Sequence, residues 1–298
     1  MSASRDVVGL FSRAAPTYGT VGPEHFAYFA RRLVEFIGIA PGDRVLDVAT
    51  GTGAVLLAIA ERHGDRDQLV GIDLTTAMLE RAAGELRRRG LRNAEVCIMD
   101  AEHLGLHDES FDVVLCSFAF LSFPNKRRAL AEFRRVLAPD GRLGLLDAFG
   151  WFFEHDSRWT WQAELLRSFG ALESDGATDH GAAELEAMLH EAGYTLVDLV
   201  DDAYELIFRD ANDWWRWVWS HASRHLFEAV PPSRRPEFKD RRFRGLARSR
   251  EDDGLIHGTL RAVLARARNP RDNQSLHEPG ESRTGRSIID RISRSAPA

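Results

Sequence analysis

The chain has very little cysteine and no long run of apolar residues. Its two cysteines among 298 residues, Cys97 and Cys116, lie in separate apolar stretches. They offer neither a disulfide framework nor metal-ligand spacing, so no metal is expected. No apolar run approaches the roughly 18 to 20 residues that span a bilayer, and the first residues lack the basic-then-apolar pattern of a secretory signal. We therefore expect a soluble, cytoplasmic protein without a membrane span.

An excess of positive charge is also missing. The net charge of −6 argues against nucleic acid as the main partner. The composition, with 44% hydrophobic and 28% charged residues, is typical of a globular protein. The length suits one large domain, alone or with a substantial insertion.

Between residues 43 and 149, strand-like and helix-like segments alternate. The predicted strands are 44–49, 68–72, 94–99, 111–118 and 142–147. The predicted helices between them are 54–62, 75–89 and 126–137. The strands are continuous apolar runs, as in a parallel sheet covered on both faces. This alternation predicts an α/β fold with a doubly wound sheet.

After residue 150 the pattern changes. We predict helices at 151–170 and 182–192, a strand at 194–201 and a last strand at 253–268 with its core at 259–265. The polar segment from Asn269 onward is predicted to be a disordered tail. The expected organisation is an N-terminal helical lid (1–40), a ligand-binding core (41–150), an aromatic cap insertion (151–181), the rest of the core (182–268, with a helical insertion at about 210–250) and the tail (269–298).

The segment VLDVATGTG, residues 45–53, resembles a nucleotide-binding turn between a strand and a helix. Gly51 and Gly53 lack a Cβ, so backbone N–H groups can approach a ligand closely. The third glycine of a dinucleotide fingerprint is replaced by Leu56, and the Gly-Lys-Ser/Thr ending of a P-loop is absent. A nucleotide with a different chemistry is therefore indicated.

Three aspartates specify that chemistry. Asp47 lies inside the first strand, where its carboxylate would repel a pyrophosphate and suit a cationic ligand. Asp73 ends the second strand, where a carboxylate can accept hydrogen bonds from ribose hydroxyls, and Asp100 follows the third. Ligands of open α/β sheets bind at the carboxyl ends of the strands. The ligand indicated is a nucleoside with a positive, amino-acid-like end and no phosphates, which describes S-adenosylmethionine.

Four segments in order, 47–53, 71–82, 97–120 and 133–147, resemble successive motifs of class I S-adenosylmethionine-dependent methyltransferases. They are most similar to the small-molecule branch that includes the ubiquinone and menaquinone C-methyltransferases. The resemblance covers residues 11–150 well and continues weakly to 268. It implies a doubly wound, mostly parallel, seven-stranded Rossmann-like sheet with helical cap insertions. One departure is Ala49, where the family usually has glycine.

The resemblance also implies which residues contact the cofactor. Those at the methionyl and ribose side are Ala49, Thr50, Gly51 and Gly53, with Asp47 beneath them. Those at the ribose hydroxyls and adenine are Asp73, Leu74, Met78, Asp100 and Ala101. Those that face the sulfonium or close over the cofactor are Ser117, Phe118 and Tyr18.

Aromatic residues concentrate outside the motifs, and two interpretations stay open for them. They either wall an apolar pocket for a small acceptor or bury the insertions on the sheet. The first cluster is Phe149, Trp151, Phe152, Phe153, Trp159 and Trp161, and the second is Trp214, Trp215, Trp217 and Trp219.

A general base, where one is needed, would be a histidine, because its ordinary pKa lies near neutral pH. The candidates are His155, His221, His225 and His25. An acidic phenol or an activated carbon as acceptor would need no base.

The favoured function is methyl transfer to a small, largely apolar metabolite of secondary or quinone-type metabolism, with oxygen as the first choice of acceptor atom, carbon the second and nitrogen the third. Three alternatives remain: a cyclisation or rearrangement on the same scaffold, a non-catalytic cofactor-binding subunit, and an RNA methyltransferase. The last is raised by residues 234–250, which carry eight basic side chains and two acidic ones. A monomer or a homodimer is expected.

Overall fold

A single seven-stranded sheet organises the computed structural model, which describes residues 2–65, 67–148, 156–172 and 181–270, with side chains from Val7 onward. The strands are β1 (Arg44–Val48), β2 (Gln68–Asp73), β3 (Ala94–Ile98), β4 (Phe111–Ser117), β5 (Leu137–Asp147), β6 (Thr195–Phe208) and β7 (Ile256–Arg268). Their order is β3-β2-β1-β4-β5-β7-β6. The first five strands of this order are parallel, and β7 runs antiparallel to both β5 and β6. The predicted mostly parallel, seven-stranded fold is confirmed.

Ten helices connect or extend the sheet in the described residues. They are α1 (Ser2–Ala14), α2 (His25–Ile37), α3 (Ala54–His63), α4 (Thr76–Arg88), α5 (Lys126–Val136), α6 (Trp161–Ser168), α7 (Ala182–Glu191), α8 (Ala211–Trp219), α9 (Arg224–Glu228) and α10 (Arg235–Arg248). Helices α5 and α7 pack on one face of the sheet, and α2 and α3 pack on the other. Both faces are therefore covered, which explains the continuous apolar runs of β1 and β4.

The N-terminal helical lid predicted at 1–40 contains two helices, α1 and α2. Pro16 and Pro23 lie between α1 and α2, together with Gly19 and Gly22, whose φ angles are 68° and 76°. Proline cannot continue a helix, and positive φ values are readily available only to glycine. The chain from 15 to 24 therefore forms an irregular turn between α1 and α2.

Strand β6 is longer than the predicted 194–201, whereas β7 lies within the predicted 253–268. They pair in antiparallel register from Thr195 with Arg268 to Phe208 with Ile256. Strand β6 lies at the sheet edge, and four acidic residues interrupt its apolar residues, so its apolar signal was too weak to define its length. The helical insertion predicted at about 210–250 contains α8, α9 and α10, and residues 220–223 form a turn between the first two.

A third core joins α6, α8, α9 and α10 beside β6 and β7. Trp159 and Trp214 are fully buried in it, with ring centroids 6.2 Å apart and planes inclined by 21°. Their indole rings pack these helices against β6 and β7. This agrees with the interpretation that the aromatic residues bury the insertions on the sheet. Phe149, Trp151, Phe152 and Phe153 lie outside the described residues.

The predicted tail lies outside the described residues except for its first two positions. Asn269 is buried, and its side-chain amide donates to the carbonyls of Leu137, Arg134 and Ala138 at 3.0, 3.3 and 3.3 Å. The described structure thus continues past residue 268, because Asn269 binds the last turn of α5 and the first residues of β5. No helix among the described residues is long and apolar enough to cross a membrane.

Candidate cofactor site

The turn after β1 leaves open space where a ligand can approach the backbone. Ala49, Gly51 and Gly53 have left-handed φ angles of 55°, 55° and 85°. A Cβ built on Gly51 would meet no atom within 4 Å, whereas one on Gly53 would lie 3.4 Å from Ala82 Cβ. Glycine is favoured at 53 by its left-handed backbone rather than by the contact with α4, and Gly51 borders an open cradle at the carboxyl end of β1.

Asp47 lies under this turn with one unsatisfied oxygen. Its residue is 1% exposed, and Oδ2 accepts a hydrogen bond of 2.6 Å from Thr50 Oγ1. Oδ1 is enclosed and has no hydrogen-bond partner among the described residues. Burial raises the pKa of Asp47 to about 7. An enclosed acceptor of this kind is costly unless a donor or a positive charge arrives.

Asp73, at the end of β2, connects the turn to the start of α4. Its Oδ2 accepts from the Gly51 N–H at 3.0 Å, and its Oδ1 accepts from the Thr75 N–H at 2.8 Å. Burial raises the pKa of Asp73, while these two hydrogen bonds act in the opposite direction. Each carboxylate oxygen retains a further lone pair for a ligand.

Asp100 lies just beyond β3 and is more exposed, with a side chain 46% accessible. Its Oδ1 accepts from the Glu102 N–H at 2.9 Å. Ala101 is buried in the core beside it. Since β3 pairs with β2 in parallel up to Asp73 and Ile98, Asp73 and Asp100 lie at the same edge of the sheet.

The segment between α1 and α2 covers the carboxyl ends of the parallel strands. The Tyr18 ring stacks on Phe26 with centroids 4.7 Å apart. Arg81 on α4 donates to the carbonyls of Ala15 and Tyr18, the latter at 2.9 Å. Burial and the nearby charges of Asp73 and Asp147 raise the pKa of the Tyr18 hydroxyl. The phenol is therefore close to the aspartates that end β2 and β5.

Two further predicted residues lie beneath the same segment. Met78 is 1% exposed and packs in a small cluster with Ala14 and Ala15. Leu74 is 39% exposed at the start of the α4 region. The two side chains thus flank the space beyond Asp73, one buried and one accessible.

The end of β4 carries the last predicted pair. Ser117 is partly buried, and Phe118 has a left-handed φ of 55°. The Phe118 ring meets Phe26 edge-on at 5.6 Å and Phe29 at 5.4 Å. A strained backbone at a phenylalanine persists only where its surroundings fix it, and these two rings provide that restraint.

Sequence analysis missed Asp147, the last residue of β5. Its Oδ2 accepts from the Leu121 N–H at 2.9 Å, its Oδ1 accepts from the Ala148 N–H at 3.0 Å, and burial raises its pKa to about 6. The available signal was its position, because it ends an apolar strand as Asp73 does.

The structure brings together two of the four histidine candidates. The imidazole centroids of His25 and His221 are 6.1 Å apart, and both residues are buried. Burial lowers the pKa of His25 to about 4 and that of His221 well below its usual range. His225 is exposed on α9, with Nδ1 2.8 Å from the Ala222 carbonyl oxygen. His155 lies outside the described residues.

A family model described as "Methyltransferase domain" matches residues 45–141, which contain the turn and the three aspartates Asp47, Asp73 and Asp100. Nocamycin O-methyltransferase of Saccharothrix syringae is 32% identical over 243 residues, covering 76% of this chain and 85% of that protein. A ubiquinone/menaquinone biosynthesis C-methyltransferase of Teredinibacter turnerae is 38% identical over 115 residues, covering 38% of this chain but only 46% of that protein.

The fold is shared with phosphoethanolamine N-methyltransferase 2 of Haemonchus contortus in complex with S-adenosylmethionine. The TM-score is 0.51 at 14% identity, over 82% of this chain and 53% of that one. The chain belongs to the S-adenosylmethionine-dependent methyltransferases. Its cofactor is S-adenosylmethionine, and the unsatisfied Asp47 oxygen beside the open cradle at Gly51 fits that cationic nucleoside.

Proposed function

We propose that this enzyme transfers a methyl group to a hydroxyl oxygen of a small, largely apolar metabolite. The observation that carries the proposal is the enclosed, unpartnered Oδ1 of Asp47 beneath the open Gly51 cradle. A cationic ligand suits this site, because it supplies the positive charge that stabilises the buried Asp47 carboxylate.

The proposed contacts follow the order of the strands. Asp47 and the turn at Thr50 and Gly51 hold the methionyl side, and Asp73 accepts hydrogen bonds from the ribose hydroxyls. Asp100 accepts from the adenine amino group. The remaining proposed neighbours are Ala49, Gly53, Leu74, Met78, Ala101, Ser117, Phe118 and Tyr18.

When bound, S-adenosylmethionine supplies an electrophilic methyl group and a neutral thioether as leaving group. The chain's own task is to align the acceptor oxygen with that methyl group and to exclude water. Tyr18, Phe26 and Phe118 form an aromatic contact series at the open edge of the sheet. Such a wall suits an apolar acceptor that carries few polar groups.

The choice of oxygen is supported by the relative from Saccharothrix syringae, whose name specifies O-methyl transfer. The C-methyltransferase of Teredinibacter turnerae matches over a smaller share of both chains. Residues 234–250 give little support to RNA as substrate, because Arg241 and Arg244 are paired with Glu237 and Asp240 within α10.

The test starts with calorimetric titration of the wild-type protein with S-adenosylmethionine and S-adenosylhomocysteine. We expect micromolar binding, at least tenfold weaker in Asp73→Asn. Asp201→Asn removes an exposed carboxylate of β6 and serves as the matched control. Turnover is then followed as S-adenosylhomocysteine release during a screen of phenols, enols and hydroxylated quinones. No cofactor binding by the wild type would refute the proposal, and product formation without S-adenosylhomocysteine would favour a cyclisation or rearrangement.

A further inference from the structure

Two buried imidazoles meet where the N-terminal segment contacts α8 and α9. His25 is the first residue of α2, and His221 lies in the turn after α8. The rings are inclined by 78°. Both residues are more than nine-tenths buried, at 4% and 7% exposure.

The hydrogen bond of His25 defines its tautomer. Nδ1 lies 3.0 Å from the Pro23 carbonyl oxygen. A carbonyl can only accept, so Nδ1 carries the proton. In the neutral ring, Nε2 then keeps its lone pair, and it has no hydrogen-bond partner in the described part of the chain. His25 therefore presents an acceptor.

His221 has the opposite tautomer. Its Nδ1 accepts a hydrogen bond of 3.2 Å from the Ser223 N–H. The proton of the neutral ring is therefore on Nε2. This nitrogen is enclosed and has no hydrogen-bond partner among the described residues. His221 thus presents an unsatisfied donor, which costs free energy until an acceptor reaches it.

Phe26 connects this pair to the proposed reaction site. Its ring lies 4.1 Å from His25 and 6.5 Å from His221 on one side. On the other side it contacts Tyr18 at 4.7 Å and Phe118 at 5.6 Å. The imidazoles are therefore one aromatic ring away from the residues that end β4 and cover the sheet edge.

We propose that His25 and His221 form a matched acceptor and donor that binds a hydroxyl group of the methyl acceptor. A hydroxyl can accept from His221 Nε2–H and donate to His25 Nε2 at the same time. A bridging hydroxyl requires the two Nε2 atoms to lie at most about 6 Å apart, and the centroids of the two rings are 6.1 Å apart. A carbonyl or an ether can satisfy only the donor, so the pair selects hydroxylated acceptors. This inference rests on the proposed function, since it names how that enzyme recognises its acceptor.

The experiment measures binding of paired probes to the protein saturated with S-adenosylhomocysteine. Each hydroxylated probe is compared with its counterpart without the hydroxyl: 1-naphthol with naphthalene, 2-hydroxy-1,4-naphthoquinone with 1,4-naphthoquinone, and 1-hydroxyanthraquinone with anthraquinone. In at least one pair we expect the hydroxylated probe to bind wild type about tenfold or more tightly than its counterpart, because two buried hydrogen bonds are gained.

The variants separate recognition from structure. His25→Phe and His221→Phe should each reduce the hydroxyl preference severalfold or more, while His221→Gln, which retains an N–H donor, should restore part of it. The dissociation constant of S-adenosylhomocysteine is measured on every variant. Where a phenylalanine variant loses cofactor binding or fails to fold, the glutamine variant and His25→Gln decide the result.

Wild type that binds S-adenosylhomocysteine but shows no preference within any probe pair would overturn the inference while leaving the proposed function intact. A preference that survives in the variants would overturn it too. Wild type that binds no S-adenosylhomocysteine would instead be a failure of the proposed function.

Discussion

The carboxyl group of Asp47 should make the cofactor-free protein less stable as the pH rises. Its pKa is raised from the ordinary 3.8 to about 7, mainly by burial. Between these two values the folded protein holds a proton that the unfolded chain has released, so the stability falls as the pH rises through this window. Each pH unit in the window contributes about 1.4 kcal/mol. The cost is therefore about 2 kcal/mol at pH 5 and about 4 kcal/mol at pH 8.

Asp47→Asn removes the ionisable group and should remove this pH dependence. The free energy of unfolding of the variant minus that of wild type should be larger, in the direction of greater stability, by about 2 to 3 kcal/mol at pH 8 than at pH 5. The comparison between two pH values is used because contributions of the amide that do not depend on pH cancel. The measurement is urea denaturation of the cofactor-free protein at both pH values, with calorimetry to show that the variant binds S-adenosylmethionine more weakly.

Asp201→Asn is the matched control, because it removes the same charge from an exposed position on β6. If Asp47→Asn changed stability by the same amount at both pH values, Asp47 would not titrate between them. The explanation of the turn as a site prepared for a cation would then be wrong.

Three further substitutions test local features. Ala49→Gly relieves the strain of an alanine at a left-handed φ of 55° and should raise the free energy of unfolding by about 1 kcal/mol. Unchanged or reduced stability in urea denaturation would contradict this. Gly22→Ala places a Cβ 2.8 Å from the Trp217 side chain at φ 76° and should lower the free energy of unfolding by about 2 to 3 kcal/mol. The control Gly170→Ala, which has a similar φ and open space around it, should lower it by about 1 kcal/mol. Equal losses would show that the contact with Trp217 does not matter. Arg242→Met removes a guanidinium that is 1% exposed; Nη2 donates to Gln162 Oε1, and Nε and Nη1 have no hydrogen-bond partner among the described residues. It should raise the free energy of unfolding in urea denaturation by about 1 to 3 kcal/mol. A loss would mean that the hydrogen bond to Gln162 and the ring of Trp214, 4.3 Å from the guanidinium carbon, offset the cost of burial.

The central sheet was predictable because its strands are buried on both faces. In β1 and β4, Leu46, Val48 and Val114 are fully buried, and such runs read as strands whatever the distant contacts are. Strand β6 was not predictable to its full length, because it is an edge strand paired only with β7. Its bounds depend on a partner about 60 residues further along the chain, and local composition carries no record of that pairing.

The cofactor side of the site was predictable for a similar reason. Asp47, Asp73 and Asp100 each lie at or near the end of an apolar run, and parallel strands bring such ends to one edge. The orphaned Oδ1 of Asp47 was not predictable, since it depends on where the Thr50 hydroxyl points and on which atoms enclose the carboxylate.

The relation between His25 and His221 could not have come from the sequence, because 196 positions separate them and only tertiary packing brings the rings together. The packing that does so has a consequence for the reaction. Tyr18, which covers the sheet edge, and His25, which meets His221, lie within one short segment that Arg81 holds through two carbonyls. A displacement of that segment would move both the cover of the proposed cofactor site and the histidine proposed to bind the hydroxyl group, so we expect the two sites to open together.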